Sequence, residues 1–209
     1  MAVTYTATTV ADPAGAQGSY PQELVAGHEG MLADLQAYVS RSYNNQSGAA
    51  LPFGRMLMID NTPTTNFQYA VDLAGAATNI VGISIDSFAF EGVSSGNGAY
   101  VPNPTNLRTD AAGAKYAGYP DDQVLNVMSK GVIWVYSATA IAFGDDVRFF
   151  LLDNSGTTAG QDQGRFTKTA AANKTVKVAT GARWLSESSA AGLALLELDI
   201  PAATFTADT

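Results

Sequence analysis

The chain has 209 residues, 46% of them hydrophobic and 14% charged, which suits one sizeable core under a surface of Thr, Ser, Asn, Gln and Gly rather than of ion pairs. With 11 basic and 19 acidic side chains the net charge is -8, and a field of that sign repels polyanions, excluding nucleic acid as a partner. Cysteine is absent, which excludes disulfides, thiolate catalysis and any Cys-ligated metal.

In chain order, Met1 to Thr6 has neither the basic stretch nor the apolar core of a signal peptide. No later apolar run approaches the roughly twenty residues of a membrane helix. The expectation is synthesis and assembly in the cytoplasm with no membrane partner. The first fifty residues are rich in Ala, Gly, Thr and Ser and cannot build a core alone. Leu32, Leu35 and Val39 have helical spacing, but Tyr38-Val39-Ser40-Arg41-Ser42-Tyr43 alternates as a strand does. The composition predicts an extended N-terminal arm over residues 1–50. Val3, Tyr5, Val10, Tyr20 and Leu24 are its candidate contacts with a neighbouring molecule, since aromatic and aliphatic anchors on an unstructured segment fill pockets elsewhere.

From Leu51 the pattern changes to short runs of β-formers bounded by turn residues, which predicts an all-β domain over 51–209, a small barrel or a jelly-roll-like or tulip-like fold. The predicted strands are Arg55 to Ile59, Ile80 to Phe90, Gln123 to Met128, Val132 to Ser137, Val147 to Leu152, Thr175 to Ala179 and Leu193 to Leu198. Val132, Trp134 and Tyr136 share one face and Ile133 and Val135 the other, so that strand is expected to be buried on both sides, with both Trp134 and Trp184 in the core. A long loop is expected near residues 91–119, and Asp153 to Gly164 reads as a solvated hairpin loop. Ala50 to Leu57 can be laid over Ala140 to Val147, each placing a glycine, Gly54 or Gly144, where a turn must reverse before a strand.

No residue pattern supplies catalytic, cofactor-binding or metal-binding machinery. His28, the single histidine, lies beside Glu29 without a nucleophile motif, and no Gly-x-Ser-x-Gly elbow or His-Glu-x-x-His pair exists. Asp145-Asp146 and Asp121-Asp122 read as turn acids rather than as a metal-binding or glycosidase pair. Asp153-Asn154-Ser155-Gly156 starts like a calcium loop but has Thr158 at the sixth position and Gly164 at the twelfth. Asn45-Gln46-Ser47 and Asn173-Lys174-Thr175 match a glycosylation pattern that occurs often by chance.

Val81-Gly82-Ile83-Ser84-Ile85, Val127 to Val135, Ala142 to Val147, Gly181-Ala182-Arg183-Trp184-Leu185 and Gly192 to Leu198, preceded by Gly30 to Asp34 and Phe53-Gly54-Arg55, resemble in order the cement or decoration proteins of tailed bacteriophages. The long loop and the extended N-terminus depart from shorter members. The resemblance implies a structural role on the outer surface of the virion head, no catalysis, no cofactor and the major capsid protein as partner, while 46% hydrophobic residues in a mostly β chain predict a homo-oligomer, dimer or trimer, that covers apolar surface. A glycan-binding β module of a phage fibre or adhesin is the alternative. An enzyme working through the Asp pairs ranks third.

Overall fold

The structure, a computed structural model, describes residues 27–33, 38–60, 70–87, 93–94, 100–101, 107–109, 115–158 and 160–209. Among these residues there is no α-helix. The chain runs as β1 (Val39–Asn45), β2 (Leu51–Pro52), β3 (Met56–Ile59), β4 (Ala70–Leu73) and β5 (Ile80–Ser84), followed by β6 (Val93–Ser94), β7 (Tyr100–Val101), β8 (Leu107–Thr109) and β9 (Lys115–Tyr119). It continues through β10 (Val124–Ser137), β11 (Val147–Phe150), β12 (Phe166–Thr167), β13 (Thr175–Thr180), β14 (Ala182–Trp184) and β15 (Gly192–Asp199), then a 3-10 turn (Ile200–Ala202) and β16 (Thr204–Ala207).

β1, β4, β3, β5 and β10 close into a five-stranded barrel. β1 pairs parallel with β4 and antiparallel with β10, and the other three contacts are antiparallel. Alternate residues point inward, as a pleated strand requires: Leu57 and Ile59, Val71 and Leu73, Leu125 and Val127, with Tyr43 and Val81. Closure leaves these strands no free edge. At the end where β1 finishes, Leu51, Phe53 and Tyr119 fill the barrel, the two rings meeting edge to face at 5.4 Å. The fully buried Asn45 side chain holds that end, donating to the carbonyls of Ala49 (2.7 Å), Tyr119 (2.9 Å) and Pro120 (3.0 Å) while its own oxygen accepts from Ser47.

The second core lies outside the barrel wall. Met56, Ile83 and Met128, from three barrel strands, face it and are fully buried, although their neighbours Leu57 and Val127 belong to the barrel interior. These wall strands are therefore apolar on both faces. The rest of this core comes from β10, β14 and β15 on one side and from β11, β12 and β13 on the other, with Ile133 opposite Leu196 and Val135 opposite Ala194 in the β10–β15 ladder. Edge-to-face pairs Phe149–Phe205 (6.2 Å) and Phe166–Trp184 (6.4 Å) complete it.

β10 ties the two cores together. Over its first half it pairs with β1 and β5, and over its second half with β15 and, through a bridge from Ile133 to Leu32, with the segment preceding β1. The sequence pattern predicts two strands here, broken between Met128 and Val132. They are continuous because Gly131 adopts φ 140°, a conformation open to glycine, which bends the strand without ending it; a side chain there would also meet Tyr38 Cβ at 2.9 Å.

Several expectations change. Val39–Asn45, grouped with the arm by composition, is a barrel strand and obeys the alternation of its sequence rather than the helical spacing of Leu32, Leu35 and Val39. The long segment near 91–119 contains β6 to β9, of which β9 pairs with both β8 and β2. Trp184 is core at 3% exposure, but Trp134 is only half-buried, and the face carrying Val132, Trp134 and Tyr136 is only half-buried throughout. In the second half of β10 the buried face is the other one, with Ile133, Val135 and Ser137 all fully buried. Gly54 (φ 67°) and Gly144 (φ 86°) both take the left-handed turn conformation before β3 and β11, as the two similar segments suggest.

Candidate functional site

The contact residues expected in the arm, Val3, Tyr5, Val10, Tyr20 and Leu24, lie outside the described residues. The structure does define the place from which that arm departs. Residues 30–33 lie along β10: Gly30 N donates to Trp134 O (2.8 Å), Trp134 N to Met31 O (2.9 Å) and Ala33 N to Val132 O (3.0 Å). Gly30 O accepts from Asp86 N (2.9 Å), so the barrel end of β5 holds the same segment. Gly27 lies so close to the Trp134 indole that a Cβ would sit 2.5 Å from the ring. This segment is what half-covers Trp134.

Glu29 is drawn into a buried ionic cluster. Its carboxylate meets Arg55 Nε at 3.5 Å and Arg165 Nη2 at 3.4 Å; Asp162 in turn meets Arg55 Nη1 at 3.5 Å and pairs closely with Arg165 Nη1. Arg55 is 1% exposed, Arg165 and Asp162 both 5%. Two cations against two anions leave the cluster formally neutral, the condition for ionic groups to persist away from water. The Arg165 guanidinium also stacks over the Tyr136 ring at 4.1 Å. Arg55 opens β3 of the barrel, Asp162 and Arg165 belong to the β11–β12 connection, and Glu29 comes from the arm's root, so one cluster fastens three parts of the molecule. Gly54 makes room for it, because a Cβ there would lie 2.4 Å from Glu29 Cγ. The β11–β12 connection is therefore not simply a solvated loop.

One member of this cluster is marked in the sequence: Arg55 is a charged residue inside an apolar run, Phe53-Gly54-Arg55-Met56-Leu57, in a chain poor in charge. Asp162 and Arg165, in a polar loop, carried no comparable mark.

The other titratable candidates have structural partners. His28 pairs with Asp86 rather than acting with Glu29. Asp145 accepts from Ala142 N (2.8 Å) and Lys168 Nζ (2.9 Å), and these hydrogen bonds, the lysine's foremost, hold its carboxyl below the ordinary value. Asp146 bonds Lys177 (2.7 Å) and Arg148 (2.9 Å), and the Lys177 bond chiefly lowers it. Asp122 occupies a left-handed turn (φ 58°), and Asp121 accepts from Gly48 N at 3.0 Å. Asp153 accepts from Ser155 N and Oγ in a local turn. Among the described residues no group of three or more His, Asp or Glu is placed to hold a metal ion, and no helix is long and apolar enough to cross a membrane.

Two surface features remain. At the barrel end opposite Tyr119 the strands leave a groove of about 250 Å³, lined by Val39, Arg41, Tyr43, Ile80, Val127 and Ile200 among others. Of its lining residues Val39 stands 53% exposed, and large apolar side chains are also exposed at Tyr38, Val124, Phe143 and Leu152. Among the described strands β14 and β16 each pair along one edge only.

The family model of the structural cement protein (E217 gp24/Pam3 gp6) matches residues 16–199, taking in the last part of the arm, its root, the barrel and the second core. The chain belongs to this family. No curated protein matches it significantly. As a phage structural cement protein it has a capsid-stabilising role, associates with the phage capsid and resides in the virion. The described architecture is consistent with such a role: a closed barrel, a second core on its wall, and an N-terminal root locked to both.

Proposed function

We propose that this cement protein is a non-enzymatic subunit that oligomerises, as a dimer or trimer, on the outer surface of the phage head, where it contacts the major capsid protein and stabilises the expanded shell. The subunit is made in the host cytoplasm. Its N-terminal arm is the clamp: Val3, Tyr5, Val10, Tyr20 and Leu24 engage a sister subunit or the capsid protein. The observation that carries this reading is the anchoring of residues 27–33 on β10, together with the pairing of the partly buried Glu29 with the buried Arg55 and Arg165. A segment that binds elsewhere can transmit load only if its base is fixed, and this base is fastened by backbone ladder bonds and by a buried ionic cluster.

The glycan-binding alternative relies on exposed Trp for sugar stacking, and that support is weak, since Trp184 is buried and Trp134 lies against Gly27. The test is a comparison of the full chain with one lacking residues 2–26, using sedimentation for self-association and electron microscopy of purified heads for position and copy number. The expected result is an oligomeric full-length protein in many copies on the outer head surface, with the truncated chain folded by circular dichroism but reduced in oligomer or head affinity. Equal behaviour of the two chains would remove the clamp. Absence of the protein from the head surface would remove the cement reading.

A further inference from the structure

We infer that the barrel-mouth groove is the receptor for the arm of a second copy of this chain, occupied by the segment Glu23-Leu24-Val25 with Glu23 paired to Arg41. This rests on the reading of the arm as a clamp and specifies where it engages.

Arg41 lines the groove and forms no ion pair with the described residues, whereas Lys130, near the same rim, is held by Asp199 at 2.7 Å. The floor beside Arg41 is apolar, from Tyr43, Ile80, Val127 and Ile200. An occupant that matches this lining carries an aliphatic side chain and places a carboxylate next to it. The first 26 residues contain no Lys, Arg or His and only two carboxylates, Asp12 and Glu23. Asp12 lies between Ala11 and Pro13; Glu23 alone is followed by two large aliphatic residues, Leu24 and Val25.

The donor is a second copy because of the direction in which the arm leaves. Residues 30–33 run antiparallel to β10, so tracing back from Ala33 at Val132 to Gly30 at Trp134 moves away from the mouth, where Val39 pairs with Lys130. Glu23 and Leu24 lie only a few residues beyond Gly27, a reach of about 10–14 Å, and would have to double back past residues 30–33 to enter their own mouth. A neighbour's segment is under no such restraint. Each copy then gives one arm and receives one, an arrangement that closes as a twofold or a ring.

The chain has no cysteine, so an engineered pair reports one contact. Full-length protein carrying Leu24→Cys and Val39→Cys is oxidised in solution and on heads, with Leu24→Cys and Leu152→Cys as the control pair. The expected product is a disulfide joining two chains, in at least tenfold excess over the control. An intrachain product alone would overturn the second copy as donor. No product from a protein that still sediments as an arm-dependent oligomer would overturn the groove while leaving the clamp in place, and no product from a protein indifferent to deletion of residues 2–26 would remove both. Independently, Arg41→Glu and Glu23→Arg should each weaken self-association at least tenfold, and the double variant should recover most of it. Loss without recovery would overturn the pairing.

Discussion

Among single residues, the two tryptophans separate most clearly. Trp184 is buried against Phe166 and donates to Asp146 O (3.4 Å), so Trp184→Ala should cost about 3–5 kcal/mol. Trp134 is half-covered by the arm's root, and Trp134→Ala should cost only about 1–2 kcal/mol. Chemical denaturation of the two variants checks the order; equal losses would contradict the assignment of the core face to Ile133 and Val135. Glu29→Ala leaves two buried guanidiniums facing Asp162 alone and should cost about 3 kcal/mol, while the Glu29→Ala, Arg55→Met double variant should lose less than the sum of its parts because it removes a compensated pair. Tyr119 gives a pH prediction. Burial, with the nearby Asp86 charge adding, pushes its phenol from 10.0 up to about 12. Its folded value lies above the free value, so its contribution is intact below about pH 10 and is lost as the pH rises towards 12. Phenolate absorbance should show one late-ionising tyrosine that Tyr119→Phe removes. Asp145 and Asp146 act in the opposite sense: their lowered values contribute stability at neutral pH that is lost as the pH falls through the folded carboxyl range.

Among the elements, those whose residues bury one or both faces along a continuous run were legible in the sequence. β3, β11, β13 and β15 fall within a few residues of their predicted spans, because alternation or an unbroken apolar run fixes them, whereas the strand expected from Ile80 to Phe90 starts at Ile80 but ends at Ser84, and residues 88–90 lie outside the described ones. β4, β12, β14 and β16 were missed: they have two to four residues each, too few for a period to show, and exist because longer strands beside them offer open ladders. The continuity of β10 was missed for a different reason, since Gly131 reads as a break in sequence and acts as a bend in the fold. The site was less legible still. Nothing local announces that Glu29, Arg55, Asp162 and Arg165 converge, as their separation in sequence exceeds any motif. The arm's root provides the element-scale prediction. Deleting residues 2–26 should leave the denaturation midpoint nearly unchanged, whereas deleting 2–33 removes Glu29 and the ladder on β10 and should lower stability by about 3 kcal/mol or more. Equal midpoints for the two truncations would show that the root is not fastened.

At the scale of the whole molecule, the barrel has closed its edges, the second core shares its wall, and among the described strands β14 and β16 each keep one free ladder edge. A ligand that binds one state of the shell raises the stability of that state by mass action, and many equivalent sites multiply the effect. The proposed stabilisation of the expanded head is measured by thermal melting of expanded heads lacking the protein, with and without saturating full-length chain. Saturating chain should raise the melting temperature of expanded heads, leave immature heads little changed, and act less strongly when residues 2–26 are deleted; an expanded-head melting curve unmoved by saturating protein would rule the stabilising role out.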